Sequence, residues 1–169
     1  MRKTLDTAFF DAAYASDPDP WTLSSDYERE KYAVTLEALP KQHYEFALEV
    51  GCSIGILTRE LASRCSLLLA LDTAQAALDQ AERRCADLAN VRFERMFVPG
   101  QWPGGTFDLI LLSEVVYYLD EEDVARLASR AVQALAPSGD VELVHWTGET
   151  NYPLTGDEAA ELFINAMAP

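Results

Sequence analysis

A chain of 169 residues suits one domain with a substantial core, and its 49% hydrophobic content is that of an ordinary globular fold. Thirteen Lys and Arg face 28 Asp and Glu, giving a formal charge of −15 that argues against nucleic acid and anionic membrane surfaces as partners. Cys52, Cys65 and Cys85 form no disulfide framework, and His43 and His145 have no partners at ligand spacing, so the expectation is reduced thiols, no metal and a cytoplasmic setting.

No signal peptide and no apolar run of about 20 residues is visible. Residues 1–25 read as irregular, with two Asp-Pro pairs ahead of Trp21. Ser25 or Asp26 caps a helix running to about Leu39, with Ala33, Leu36 and Leu39 at helical spacing and Pro40 ending it. "YEFALEV" reads as the first strand and "ILTRELASRC" as a helix. "SLLLALD" is apolar almost throughout, as a strand covered on both faces should be. "TAQAALDQAERRCADL" returns to helical period, "VRFERMFV" is the third strand and "FDLILLSEVV" the fourth. Asp120 caps the next helix, "APSGD" reads as a turn, and "VELVHW" is the fifth strand. Thr155 and Glu158 predict a capping box for a last helix ending at Met167. Alternating strands and helices after residue 44 predict a parallel sheet with helices on both faces.

Gly51 and Gly55 fall where the first strand hands over to a helix. Ligands of open parallel sheets bind at such strand ends, where glycine permits unusual dihedrals and close approach. The spacing is not Gly-x-Gly-x-x-Gly, and no Gly-Lys-Ser/Thr follows, so a pyrophosphate ligand is disfavoured. A ligand with a ribose, no phosphate, and an amine or carboxylate fits better. Glu49 is a carboxylate inside an apolar strand, costly unless paired or solvated. Asp72 ends the second strand, where a carboxylate accepts from ribose hydroxyls, although Asp there also suits a helix cap.

"EVGCSIG", "ALDTAQAAL", "FDLILLSEVVYYL" and "LAPSGDVELVHW", in that order over residues 44–146, resemble the successive motifs of a class I methyltransferase dependent on S-adenosyl-L-methionine. "DYEREKY" and "SEVVYYL" resemble more narrowly the NodS-like group, which includes N-methyltransferases acting on de-acetylated chitin oligosaccharides. The resemblance implies a Rossmann-like α/β fold with sheet order 3-2-1-4-5. It implies a cofactor-covering segment over residues 1–40 and a methyltransferase domain over 41–169. The family sheet carries two further strands as an edge hairpin, so that pair is expected to be missing here, and a homodimer would cover the edge.

By resemblance, Glu49, Gly51 and Gly55 hold the methionine moiety, in a loop where Cys52 serves through its backbone. Asp72 takes the ribose, and Thr73 lies beside the adenine. Met96 and Phe97 stand where the family often has an acidic residue. Ser113 and Glu114 lie beneath the sulfonium, and Tyr117 and Tyr118 lead to the substrate side. Trp21, Tyr27, Lys31 and Tyr32, and more weakly Phe10 and Tyr14, cover the cofactor. His145 is the candidate base, with Glu114 and Tyr118 beside the acceptor; each also has an ordinary reading as packing or loop hydrogen bonding. The implied reaction is methyl transfer to an amine or hydroxyl of a small molecule, such as a sugar. The alternatives are a natural-product O-methyltransferase and a non-catalytic or shortened cofactor-binding protein.

Overall fold

The structure, a computed structural model, describes residues 2–168. Five strands form one sheet: β1 (Tyr44–Val50), β2 (Cys65–Asp72), β3 (Val91–Arg95), β4 (Phe107–Ser113) and β5 (Leu135–Val144). Their order is β3-β2-β1-β4-β5 and every pairing is parallel. The helices are α1 (Thr7–Ser16), α2 (Asp26–Ala38), α3 (Ile56–Leu61), α4 (Gln75–Arg84), α5 (Glu121–Ala134) and α6 (Gly156–Met167). This is the Rossmann-like architecture of class I methyltransferases, as the motif order implies.

The apolar strands supply two cores because successive side chains point to opposite faces. Leu48, Val50, Ile110 and Leu112 pack with Val124, Leu127 and Ala131 of α5 and Phe163 of α6. Ala47, Leu68, Leu109 and Leu111 pack on the other face with Leu57 and Leu61 of α3 and Tyr32 of α2. The predicted caps form: Ser25 accepts from Glu28 N–H, Asp120 from Asp123 N–H, and Thr155 and Glu158 make a complete capping box.

Three local expectations are corrected. Residues 1–25 are not all irregular, since α1 occupies Thr7–Ser16 with Asp6 as its N-cap. Its signal was weak because only Tyr14 is buried, and the Asp-Pro pairs mark its end rather than its absence. "APSGD" is no turn between elements. It lies inside β5 as an irregularity, where the register jumps from Phe107↔Leu135 to Leu109↔Asp140 and Ser138 adopts φ +60. The inner face of α2 is also polar, with Glu28, Tyr32 and Thr35 buried while Ala33 is exposed.

Candidate active site

The carboxyl ends of β1, β2 and β4 open on a cavity of about 1060 Å³, at the upper end of the usual range for small-molecule sites. Glu49, Gly51, Cys52, Asp72, Thr73, Met96, Phe97, Ser113, Glu114, Tyr117 and Tyr118 line it from the sheet side. Tyr14, Trp21, Tyr27, Lys31 and Tyr32 line it from α1, α2 and the loop between them. Gly55 and His145 are not among the lining residues.

Local geometry explains both glycines. Gly51 has φ +85, and a Cβ there would lie 2.4 Å from Val115 Cγ2 and 2.8 Å from the Ser113 carbonyl oxygen. The end of β1 therefore passes the end of β4 only without a side chain. Gly55 has φ +81, and a Cβ would meet Ala81 of α4 at 2.8 Å, so its task is helix packing behind the site.

The carboxylates are held differently. Asp72 accepts the Ser53 N–H at 2.8 Å and the Ala74 N–H at 3.0 Å, tying the glycine loop to the start of α4. Burial raises its pKa, opposed by those backbone hydrogen bonds. Glu49 is 1% exposed and its Oε2 has no hydrogen-bond partner. Burial pushes its carboxyl up to about 7, against a smaller opposing effect of nearby Thr58. An isolated carboxylate is costly at such a place, and the orphaned oxygen is free to accept from a cationic or hydrogen-bonding group.

Glu114 adopts φ +56 and anchors a network. Its Oε1 accepts from Lys31 Nζ at 3.0 Å, and its Oε2 accepts the Trp146 N–H at 3.0 Å and the Tyr117 hydroxyl. Lys31 Nζ also lies 2.6 Å from Glu28 Oε2, a close charge contact rather than an aligned hydrogen bond. Burial pulls the Lys31 pKa down, but Glu28 and Glu114 outweigh it and the ammonium is held above its ordinary range. Tyr118 packs against Phe10, Tyr117 and Tyr152, with ring centroids at 5.0, 4.6 and 4.6 Å.

His145 does not present a free base. Its Nε2 accepts the Val116 N–H at 3.3 Å, which leaves the proton on Nδ1. Burial lowers its pKa to about 4, against a smaller opposing effect of Glu114. The loop-bonding reading of His145 is the one the geometry supports.

The Tyr14 hydroxyl meets Ser53 Oγ, and Thr7 Oγ1 lies 2.9 Å from Thr73 Oγ1, so α1 docks on the ends of both binding loops. Several lining residues had not been singled out: Ser53, Glu28, Glu149, Thr150, Asn151 and Tyr152 also line the cavity. A signal for Glu28 existed: it precedes Tyr32 by four residues on one helical face. The segment after β5 lies in a polar loop with no periodicity to place it.

Residues 11–146 match the family model for nodulation protein S (NodS). The chain belongs to the NodS family. NodS from Rhizobium tropici is 35% identical over 124 residues, 72% of this chain and 52% of that protein. Phosphoethanolamine N-methyltransferase 1 of Arabidopsis thaliana is 31% identical over 112 residues, 64% of this chain and 23% of the plant protein. The crystal structure of the N-methyltransferase NodS from Bradyrhizobium japonicum WM9 in complex with S-adenosyl-L-homocysteine superposes with a TM-score of 0.75 at 27% identity. It covers 82% of this chain and 72% of that one. This NodS-family chain spans about half the length of the curated NodS relatives it matches, 52% and 57% for two of them. Among the described residues no helix is long and apolar enough to cross a membrane, and no cluster of His, Cys, Asp and Glu suits a metal ion.

Proposed function

We propose that this chain binds S-adenosyl-L-methionine and methylates an amine of a small molecule. The observation that carries the reading is the pair of carboxylates Glu49 and Asp72. They end neighbouring strands and open on one cavity, beside a left-handed glycine, within the stretch matched to NodS. The residues fit the cofactor. Glu49 offers an orphaned buried oxygen to its ammonium, and Asp72 retains acceptor capacity for the ribose hydroxyls beyond its two backbone bonds. Met96 and Phe97 offer apolar faces to the adenine beside Thr73, and Trp21, Tyr27 and Lys31 cover the site from residues 1–40. Bound S-adenosyl-L-methionine supplies a methyl group already activated on a sulfonium, so the protein's work is alignment and exclusion of water.

Nitrogen is favoured over oxygen as the acceptor because a hydroxyl needs a base. The His145 lone pair is committed to Val116, and the Glu114 oxygens are committed to Lys31, Tyr117 and Trp146. Burial of the three free cysteines agrees with a reduced cytoplasmic setting, and pairing of two copies at the β5 edge belongs to the same proposal. Incubation with methyl-labelled cofactor and a mixture of amines and alcohols, followed by product mass analysis, tests the reaction. Label on nitrogen is expected, and label found only on oxygen would overturn it.

A further inference from the structure

Past the end of β3 the cavity wall consists of Met96, Phe97 and Val98, with Thr73 at the neighbouring strand end. None of the first three carries a side-chain hydrogen-bonding group that could tell one flat ring from another. The polar groups around them are paired within the chain. Met96 N–H donates to the Asp72 carbonyl at 3.0 Å, and Gln101 N–H to the Phe97 carbonyl at 2.9 Å. Arg95 Nε donates to the Thr73 carbonyl at 2.8 Å, and Thr73 Oγ1 lies 2.9 Å from Thr7 Oγ1. Phe97 N–H is held by a side chain, since Gln101 Oε1 accepts it at 2.8 Å.

The Gln101 amide is only half used by that bond. Its Oε1 keeps a second lone pair, and its Nε2 donates to no partner among the described residues. Gln101 is exposed and stands outside the lining residues, so it meets a ring seated on Met96 and Phe97 at the edge and not at the face. A side-chain amide can ordinarily turn over and exchange its acceptor for its donor. Here a turn would set Nε2 against the Phe97 N–H, donor on donor, so the acceptor stays where it is.

We infer that Gln101 reads the base of the cofactor and makes this site select adenine. The inference deepens the proposed binding of S-adenosyl-L-methionine and rests on it. The adenine amino group donates to the second lone pair of Oε1, and the ring nitrogen beside it accepts from Nε2, a two-point match of the kind Gln makes with adenine edges in nucleic acids. In hypoxanthine a carbonyl oxygen replaces the amino group. It would face Oε1, acceptor against acceptor, at an amide that Phe97 N–H keeps from turning over.

Calorimetric titration of the full chain with S-adenosyl-L-homocysteine and with its deaminated analogue, S-inosyl-L-homocysteine, tests the inference. The wild type should bind the adenosyl ligand at least about tenfold more tightly. Q101L removes acceptor and donor together and should cut that preference below about threefold, whereas Q101E keeps an acceptor and should hold it above about threefold. Gln101 is exposed, so both variants should fold. The ratio of the two affinities is the readout, because a residue that only closed the loop would weaken both ligands alike. A smaller preference in the wild type, a larger one remaining in Q101L, or its loss in Q101E would overturn the inference. Absence of S-adenosyl-L-homocysteine binding in the wild type would instead overturn the cofactor reading beneath it.

Discussion

The floor and the roof of the cavity are built on different principles. The floor consists of the ends of β1, β2 and β4, and its shape is fixed by backbone. Gly51 passes Ser113 and Val115 without room for a methyl group, and Asp72 holds two backbone N–H groups. The roof consists of α1, α2 and the segment after Trp146, fastened by side chains. Its ties include Tyr14 to Ser53, Thr7 to Thr73, Lys31 to Glu114, and Arg95 to Asp11 at 3.2 Å. A floor of this kind tolerates little change. A roof fastened largely by side chains, with Tyr14, Phe10, Trp21 and Leu23 packed on Ile54, Ala74 and Ala77, can be altered one contact at a time.

The largest effect expected is on the floor. Gly51→Ala should cost about 4 kcal/mol, combining left-handed strain with overpacking against Val115 and Ser113. Urea unfolding measures it, and a loss near zero would mean that β1 and β4 separate readily at their ends.

Glu49 offers the next test. Its carboxyl titrates near 7 when folded and near the ordinary 4.5 when unfolded, so between those values the native state binds more protons. Stability of the ligand-free protein should therefore fall as pH rises through that window, by about 3 kcal/mol from this group. Comparing wild type with Glu49→Gln isolates the contribution from Glu142, which burial also raises to about 7. Parallel stability profiles for the two proteins would show that Glu49 is solvated.

Lys31→Met tests the roof. It leaves Glu28 and Glu114 mostly buried and facing each other without a cation, and should cost about 2 kcal/mol, between the values for exposed and fully buried pairs. Urea unfolding of wild type and variant measures the loss, and no loss would mean that the two carboxylates gain nothing from the ammonium between them.

The floor was legible in the sequence and the roof largely was not. "EVGCSIG" and "ALD" carry their geometry in short range: a glycine where φ must be positive, and an acid as the last residue of an apolar strand. Apolar runs likewise announced β1, β2 and β4. The roof depends on long-range side-chain meetings. Nothing in residues 7–16 states that Tyr14 will reach Ser53, and although Glu28 shares a helical face with Tyr32, its part in the site shows only when Lys31 and Glu114 are placed beside it. His145 was read as ending the fifth strand and lies one residue past Val144, the last residue of β5, but only the Val116 N–H reveals that its lone pair is taken.

The smallest effect should come from that histidine. His145→Ala removes one hydrogen bond to a backbone N–H, worth about 1 kcal/mol of stability, and should leave turnover on an amine within about threefold. A fall of about 10²–10⁴-fold in kcat would restore it as a general base.

The central claim is that the floor around Asp72 holds an adenosyl ligand. Calorimetric titration of the full chain with S-adenosyl-L-homocysteine, beside Asp72→Ala and a dinucleotide control, tests it most directly. The account predicts saturable binding to the wild type and none of the phosphate-bearing dinucleotide. It also predicts a loss of about 2–4 kcal/mol in the folded variant, roughly 30-fold to nearly 1000-fold in affinity. Unchanged affinity in a folded Asp72→Ala protein, or no binding to the wild type, would contradict it.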